Sequence, residues 1–438
     1  MRLSNVRPIT ALVLTLCLVV GLVLFVSPTA DAATTTVTPT GSASAQAGSP
    51  AKCPDQITPP SPVDSSEALK PGQTSPTPLP EPSSPVGGTR MGECGTVLPT
   101  GAPALPTDIG FSSWVLADLD TGAVLAADDP HARERPASLI KILLALESAK
   151  QLNPNTVVTG TKDDADQEGT RVGIGAGGQY TVAQLVHALL MDSGNDVAHA
   201  LAMQLGGMPA TVTKMNALAK QLGAVDTRVA TPSGLDEAGM STSAYDMMVI
   251  FRAALQNPLI ADAVHTSSML FPGFPGHAAF MIYNDNELLT KYTGDVGGKT
   301  GYTDDAQHTF ANAADQNGHR VALIAMHGTN HLEGMYTDAR ALMDYGFKLE
   351  NLHTAPVGQV ITASASGSAN SLSQAGSVPG GPGVAQVNNP PSSTMSAFGT
   401  VGMPLTVIAG VVLVIIALLY LRRRRAKRAR LARLAREH

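Results

Sequence analysis

The chain has 438 residues, 44% of them apolar and 15% charged, with a formal net charge of −6. That length allows more than one domain. However, the aromatic residues, only 4% of the chain, lie almost entirely between Phe111 and Phe347, so only that stretch has the material for a conventional core. Without the two ends described next, 18 basic residues face 33 acidic ones, which disfavours a nucleic-acid partner.

Residues 1–32 read as an export signal. Arg2 and Arg7 precede the apolar run Ala11–Val26, and Ala30-Asp31-Ala32 has the small-x-small pattern of a signal-peptidase site. An uncleaved anchor is the alternative. Leu16 stands where a lipid-attachment site before Cys17 needs a small residue, so lipidation is not expected. Residues 33–106 contain no Phe, Trp or Tyr and hold 15 of the 31 prolines, which predicts a disordered, extended stalk. Cys53 and Cys94 fall within it. Export puts them in an oxidising compartment, where a disulfide can form; two unpaired thiols are the other reading.

From 107 to 350 the pattern alternates between strands and helices. Ser113–Leu119, the turn Asp120-Thr121-Gly122 and Ala123–Ala126 predict a hairpin. Pro136 opens a helix that carries Leu139, Ile140, Leu143, Leu144 and Leu146, apolar on most sides and therefore buried. Val182, Leu185, Val186, Leu189 and Leu190 predict a second helix stopping near Asp192–Asn195, and a third begins beyond Asp196. Thr309–Ala313 and Val321–Met326 flank the turn Gln316-Asn317-Gly318, and a last helix is expected over Asp338–Tyr345. Strands at both ends with helices between them predict one α/β domain whose terminal segments share a sheet.

Residues 351–403 are a second flexible linker. Pro404–Leu421 is 18 residues without charge, about 27 Å as a helix, which suits a membrane span. Nine basic residues and one acid follow in the tail 422–438, which predicts a cytoplasmic C-terminus and an extracytoplasmic bulk.

Three short motifs carry chemistry. Ser138-Leu139-Ile140-Lys141 sets a hydroxyl and an amine three residues apart, on one face of a helix, where a buried amine can take the serine proton. Ser193-Gly194-Asn195 lies in a break between helices, where side chains can point into a cleft. Lys299-Thr300-Gly301, followed by Tyr302 and Thr303, falls on a small-residue strand along which a peptide can pair, with the lysine available to a carboxylate. Each motif is cheap alone. In this order the three are the set found in penicillin-binding proteins and class A β-lactamases.

The chain resembles the low-molecular-mass serine D-alanyl-D-alanine carboxypeptidases over residues 107–350. Pro136–Lys141, Leu190–Asp196 and Gly298–Thr303 carry the likeness, and Thr231-Pro232-Ser233-Gly234-Leu235-Asp236 resembles a further segment of that family. The resemblance implies a DD-peptidase/β-lactamase-like fold, with an antiparallel sheet flanked by helices and an all-helical subdomain. It implies Ser138 as acyl-ester nucleophile, Lys141 as its base and Ser193 as proton relay to the leaving D-alanine. Asn195 would hold the substrate amide, and Lys299 the terminal carboxylate, with Thr303 adding a contact. The backbone N–H groups of Ser138 and Tyr302 would form the oxyanion hole, and Thr300 and Gly301 would complete the substrate strand. The implied partners are peptidoglycan stem peptides ending in D-Ala-D-Ala, and β-lactams as covalent inhibitors. The chain departs from the family in having no β-rich domain after the catalytic one.

No cofactor is expected. His327 and His331 have i, i+4 spacing but lack a His-Glu-x-x-His setting, and Arg171–Gly178 lacks a phosphate-loop pattern. Asp163, Asp164 and Asp166 read as a solvated acidic face. A β-lactamase would share the three motifs. Yet Glu237 and Glu287, the glutamates between Asn195 and Lys299, do not sit in the Glu-x-x-Leu-Asn pattern that class A enzymes use for deacylation. A non-catalytic penicillin-binding scaffold is the alternative from another class.

Overall fold

The computed structural model describes residues 53–329 and 331–361. The export signal, the span at 404–421 and the basic tail lie outside them, as do the first part of the stalk and most of the second linker. Among the described residues no single helix is long and apolar enough to cross a membrane.

One sheet contains β1 (Thr96–Val97), β2 (Phe111–Asp118), β3 (Ala123–Asp128), β4 (Asp295–Thr303), β5 (Gln307–Gln316), β6 (His319–Gly328) and β7 (Gly358–Gln359). The order is β1-β3-β2-β6-β5-β4, with β7 also on β3, and every pairing is antiparallel. The opening hairpin joins the closing one through β2 and β6, with Trp114 opposite Ala325 and Asp118 opposite Val321. The ends of the domain therefore share a sheet, as the sequence predicts.

The weak alternation in β2 has a physical cause, because both faces of this sheet are buried. Trp114, Leu116, Leu323 and Ala325 face Met335, Leu342 and Phe347 of α7 (Leu332–Asn351). Val115, Ala117, Ile324 and Met326 belong to the opposite core, with Ile250 and Phe251 of α5 (Ala244–Leu255). Helix α7 is longer than predicted at both ends. Its first turn holds an exposed Leu332, and His331 supplies no capping side chain, which leaves the acidic Glu333 as a weak start signal.

The helical part comprises α1 (Lys141–Gln151), α2 (Val182–Met191), α3 (Asn195–Gln204), α4 (Met208–Leu222) and α6 (Pro258–His265), packed around Leu143, Leu144, Leu185, Leu189 and Leu201. A capping box starts α2: Gln184 N–H donates to Thr181 Oγ1 and Thr181 N–H to Gln184 Oε1. The chain leaves α2 at Met191 and re-enters a helix at Asn195, which creates the break that holds Ser193.

The expected disordered stalk is corrected over residues 53–106, which are packed onto the domain. Cys53 and Cys94 are joined in a disulfide. Strand β1 pairs with β3, and Met91 and Val97 are fully buried. Arg133, itself buried, donates from Nη1 to the carbonyls of Ile57 and Leu79, each at 2.7 Å, and from Nη2 to Pro80 O at 3.2 Å. Arg135 donates to Pro60 O at 2.8 Å and pairs with Glu67. Proline-rich chain offers carbonyls without competing N–H groups, so two arginines organise it where aromatic packing cannot. The folded region also runs past the predicted limit of 350. Gly358 and Gln359 pair with β3, and Tyr245 Oη donates to Gln359 O at 2.6 Å.

Candidate active site

Ser138 sits in a 3-10 turn, Ala137–Ile140, that runs straight into α1, whose first residue is Lys141. The pair meets as its spacing predicts, with Lys141 Nζ 2.7 Å from Ser138 Oγ. Ala137 has φ 45°, a costly conformation for a residue with a side chain, and it persists only where neighbours hold it. Thr309 Oγ1 donates to Pro136 O at 3.0 Å, and Gly234 packs so closely that a side-chain carbon there would fall 1.9 Å from Ala137 O.

Lys141 is completely buried and donates twice more, to Asn195 Oδ1 at 2.8 Å and Ser233 O at 2.6 Å. Burial, reinforced by the nearby Lys299, holds its amine well below the usual lysine range, while Asp196 and Asp285 pull the other way. Asn195 is fixed from its far side, its Nδ2 donating to Glu168 O at 2.7 Å. Asp196 accepts backbone N–H bonds from Val172, Gly173 and Ile174, which ties the glycine-rich stretch 171–178 to the start of α3.

Ser193 has φ 59°, and with Ser138, Thr300, Gly301 and Tyr302 it lines an open cleft of about 550 Å³. Lys299 lies on β4 opposite Ala311 and is buried, with Nζ donating to Thr300 O at 2.8 Å. Burial brings its amine down to about 8, against the upward pull of Asp285 and Asp192. Gly301 lets the strand approach the nucleophile turn closely. A side-chain carbon there would lie 2.9 Å from Ser138 N and 2.4 Å from Thr309 Oγ1.

Thr303 departs from the expected arrangement. Its hydroxyl donates to Asp236 Oδ1 at 2.9 Å and accepts Ala306 N–H at 3.0 Å, and it lines a neighbouring groove rather than the Ser138 cleft. His327 Nδ1 lies 3.8 Å from Glu134 Oε2, and His331 stands at the N-terminus of α7 without a capping side-chain bond. Asp164, predicted on a solvated face, is buried and bonds His199 Nδ1 and the N-terminus of a short helix at Thr161.

Sequence reasoning missed Asp285 and Asp192. Asp285 lines the cleft, where burial raises its carboxyl against the pull of Lys299 and Lys141. Asp192 is pushed up to about 6 by burial and by Asp285 and Asp196. Asp192 lay inside a recognised motif. Asp285, between Asn284 and Asn286, carried no signal beyond its type.

With this geometry in place, comparison with known proteins decides the family. The D-alanyl-D-alanine carboxypeptidase family, peptidase S11, matches residues 100–330. The chain belongs to that family. It is 44% identical over 257 residues to the D-alanyl-D-alanine carboxypeptidase DacB2 of Mycobacterium tuberculosis, covering 58% of this chain and 87% of that one. DacD of Escherichia coli is 33% identical over 258 residues, with 64% of its length covered. A crystal structure of a D-alanyl-D-alanine carboxypeptidase from M. tuberculosis superposes with a TM-score of 0.57 at 42% identity, over 60% of this chain and 99% of that one. The carboxypeptidase fold expected from the sequence, an antiparallel sheet flanked by helices, is the fold of this chain. Its activity is that of a serine-type D-Ala-D-Ala carboxypeptidase.

Proposed function

We propose that the carboxypeptidase reaction runs through Ser138, with Lys141 as base. Ser138 Oγ attacks the carbonyl carbon of the penultimate D-alanine while its proton passes to Lys141 Nζ. The 2.7 Å contact and the depressed amine support this role, since a lysine in its usual range would be protonated at neutral pH. Charge on the carbonyl oxygen develops between the N–H groups of Ser138 and Tyr302, a reading supported by the tight approach at Gly301. The C–N bond then breaks, and the leaving D-alanine amine takes its proton through Ser193. Water, deprotonated by Lys141, cleaves the Ser138 ester and restores the hydroxyl. Lys299, largely cationic at neutral pH, binds the terminal carboxylate and disfavours a second charge on Lys141. Asn195 serves the substrate amide and holds Lys141 in place. Thr300 and Gly301 pair with the peptide main chain.

The single observation that carries this reading is the buried Lys141 in contact with Ser138. Its test compares two substrates under one buffer and temperature: a pentapeptide ending in D-Ala-D-Ala, and penicillin. The expected result is faster release of D-alanine than hydrolysis of penicillin, because the tethered leaving group of the drug obstructs water. Rapid penicillin hydrolysis without D-alanine release would make β-lactamase the better description.

The catalytic domain faces outward on a single-pass anchor, a reading supported by the export signal, the apolar stretch 404–421 and the basic tail. Protease added to intact cells is expected to remove the domain and spare an epitope at His438. Loss of that epitope from sealed cells overturns this topology.

A further inference from the structure

The two backbones that form the catalytic gap, the turn at Ser138 and the end of β4, are both held by one short stretch of the N-terminal segment. On the nucleophile side, Arg135, three residues before Ser138, bonds Pro60 O and Glu67, and Arg133 N–H donates to Asp55 O at 2.7 Å. On the strand side, Asp305, two residues after Thr303, is buried. It accepts Val63 N–H at 2.5 Å on one oxygen and Ser66 Oγ–H at 2.8 Å on the other. Asp64 and Ser66 also wall the groove that Tyr302 and Thr303 line beside the cleft. The disulfide between Cys53 and Cys94 closes the start of this stretch onto the domain. The family match begins only at residue 100, so this stretch is additional to the shared catalytic frame.

We propose that residues 53–67 are a clamp that sets the spacing between the Ser138 turn and β4, with Arg135 and Asp305 as its positioning residues. This rests on the reading of Ser138 as nucleophile and of the Ser138 and Tyr302 N–H groups as the oxyanion hole. The gap is intolerant, since one added carbon at Gly301 would already crowd Ser138 N at 2.9 Å. A displacement of about 1 Å far from the chemistry can cost on the order of 10²-fold in rate. Arg135 and Asp305 touch no reacting atom in this scheme and act through the turn and the strand that they fix.

The test uses the full chain carrying Ser66→Ala with Glu67→Gln, which loosens both ends of the clamp and leaves every residue from 100 onward unchanged. The kcat for D-alanine release and the penicillin acylation rate are expected to fall about 10-fold, with KM within about twofold, at a temperature where circular dichroism shows the variant folded. Cys53→Ser with Cys94→Ser frees the start of the clamp and is expected to give the same split. If either double variant does not fold, Ser66→Ala alone is measured in the same way and is expected to lower kcat in the same direction. An unchanged kcat in folded variants overturns the clamp, as does a loss that merely follows the unfolded fraction. Ser138→Ala, run alongside, separates the two ideas: covalent penicillin labelling that survives in it overturns the nucleophile assignment, whatever the clamp variants do.

Discussion

The sheet with its helices and the segment 53–80 are both ordered, but by different means. In the sheet, Trp114, Leu116, Leu323 and Phe310 are removed from water, and order follows from apolar burial at roughly 25 cal/mol per Å². In residues 53–80, Ile57, Val63 and Leu69 remain exposed, and the chain is held through its carbonyl oxygens by Arg133, Arg135 and Arg228, the last donating to Thr77 O at 2.7 Å. Hydrogen bonds from a charged donor contribute about 1.5–3 kcal/mol each, and a buried guanidinium left unpaired costs several kcal/mol. Arg133, only 1% exposed and also paired with Asp226 at 3.3 Å, is covered by the segment whose carbonyls it holds. A region can be ordered because it satisfies its neighbour's polar groups, without a core of its own.

The comparison is sharpest at the site, where the largest effect is expected. Ser138→Ala removes the nucleophile and is expected to abolish covalent penicillin labelling, read by gel fluorescence; a labelled variant places the nucleophile elsewhere. Lys141→Ala comes next. It leaves Ser138 Oγ, Asn195 Oδ1 and Ser233 O without their common donor, and is expected to lower the acylation rate by at least ~10². A loss below about tenfold in stopped-flow acylation would mean that another group takes the proton.

The pH profile gives a graded effect. Lys299 is held down to about 8 by burial, so it is cationic below that pH and loses its charge as pH rises through it. If that charge binds the substrate carboxylate, kcat/KM falls above about pH 8, approaching ~10-fold per unit for a single titrating group. Lys141 acts as the neutral amine, so a separate fall is expected toward acid. Lys299→Arg keeps a cation at every accessible pH and is expected to remove the alkaline limb, at some cost in fit. Persistence of that limb in the variant assigns it to another group.

The same division explains what was legible in the sequence. Ser138, Lys141, Ser193, Asn195 and Lys299 stood out because the chemistry proposed for them restricts residue type and order, and the strands around Trp114 and Leu323 because apolar runs report burial. Residues 53–106 were misread because the absence of aromatics measures side-chain packing and says nothing about carbonyl acceptors. Nothing local marks Arg133 as their partner, since its contacts at Ile57 and Leu79 are 76 and 54 residues away. Asp305 and Asp285 were silent for the same reason. Thr303 was assigned to the substrate by resemblance, while its hydroxyl is engaged by Asp236, a partner 67 residues earlier.

The smallest effect is the one that most directly separates the two modes of order. Leu323→Ala, in a fully buried position between α7 and the sheet, deletes side-chain carbons from a packed core and is expected to cost about 2–5 kcal/mol. Ile57→Ala makes a related truncation in the N-terminal segment, where the side chain is 44% exposed and the carbonyl, which the substitution keeps, accepts from Arg133. If that segment is held by its main chain, Ile57→Ala shifts stability by no more than about 0.5 kcal/mol, the range of ordinary surface substitutions. Urea titrations of the two variants against the parent chain read the difference directly. A loss at Ile57 approaching that at Leu323 would mean that residues 53–80 rest on side-chain burial after all, and that Arg133 follows their order rather than imposing it.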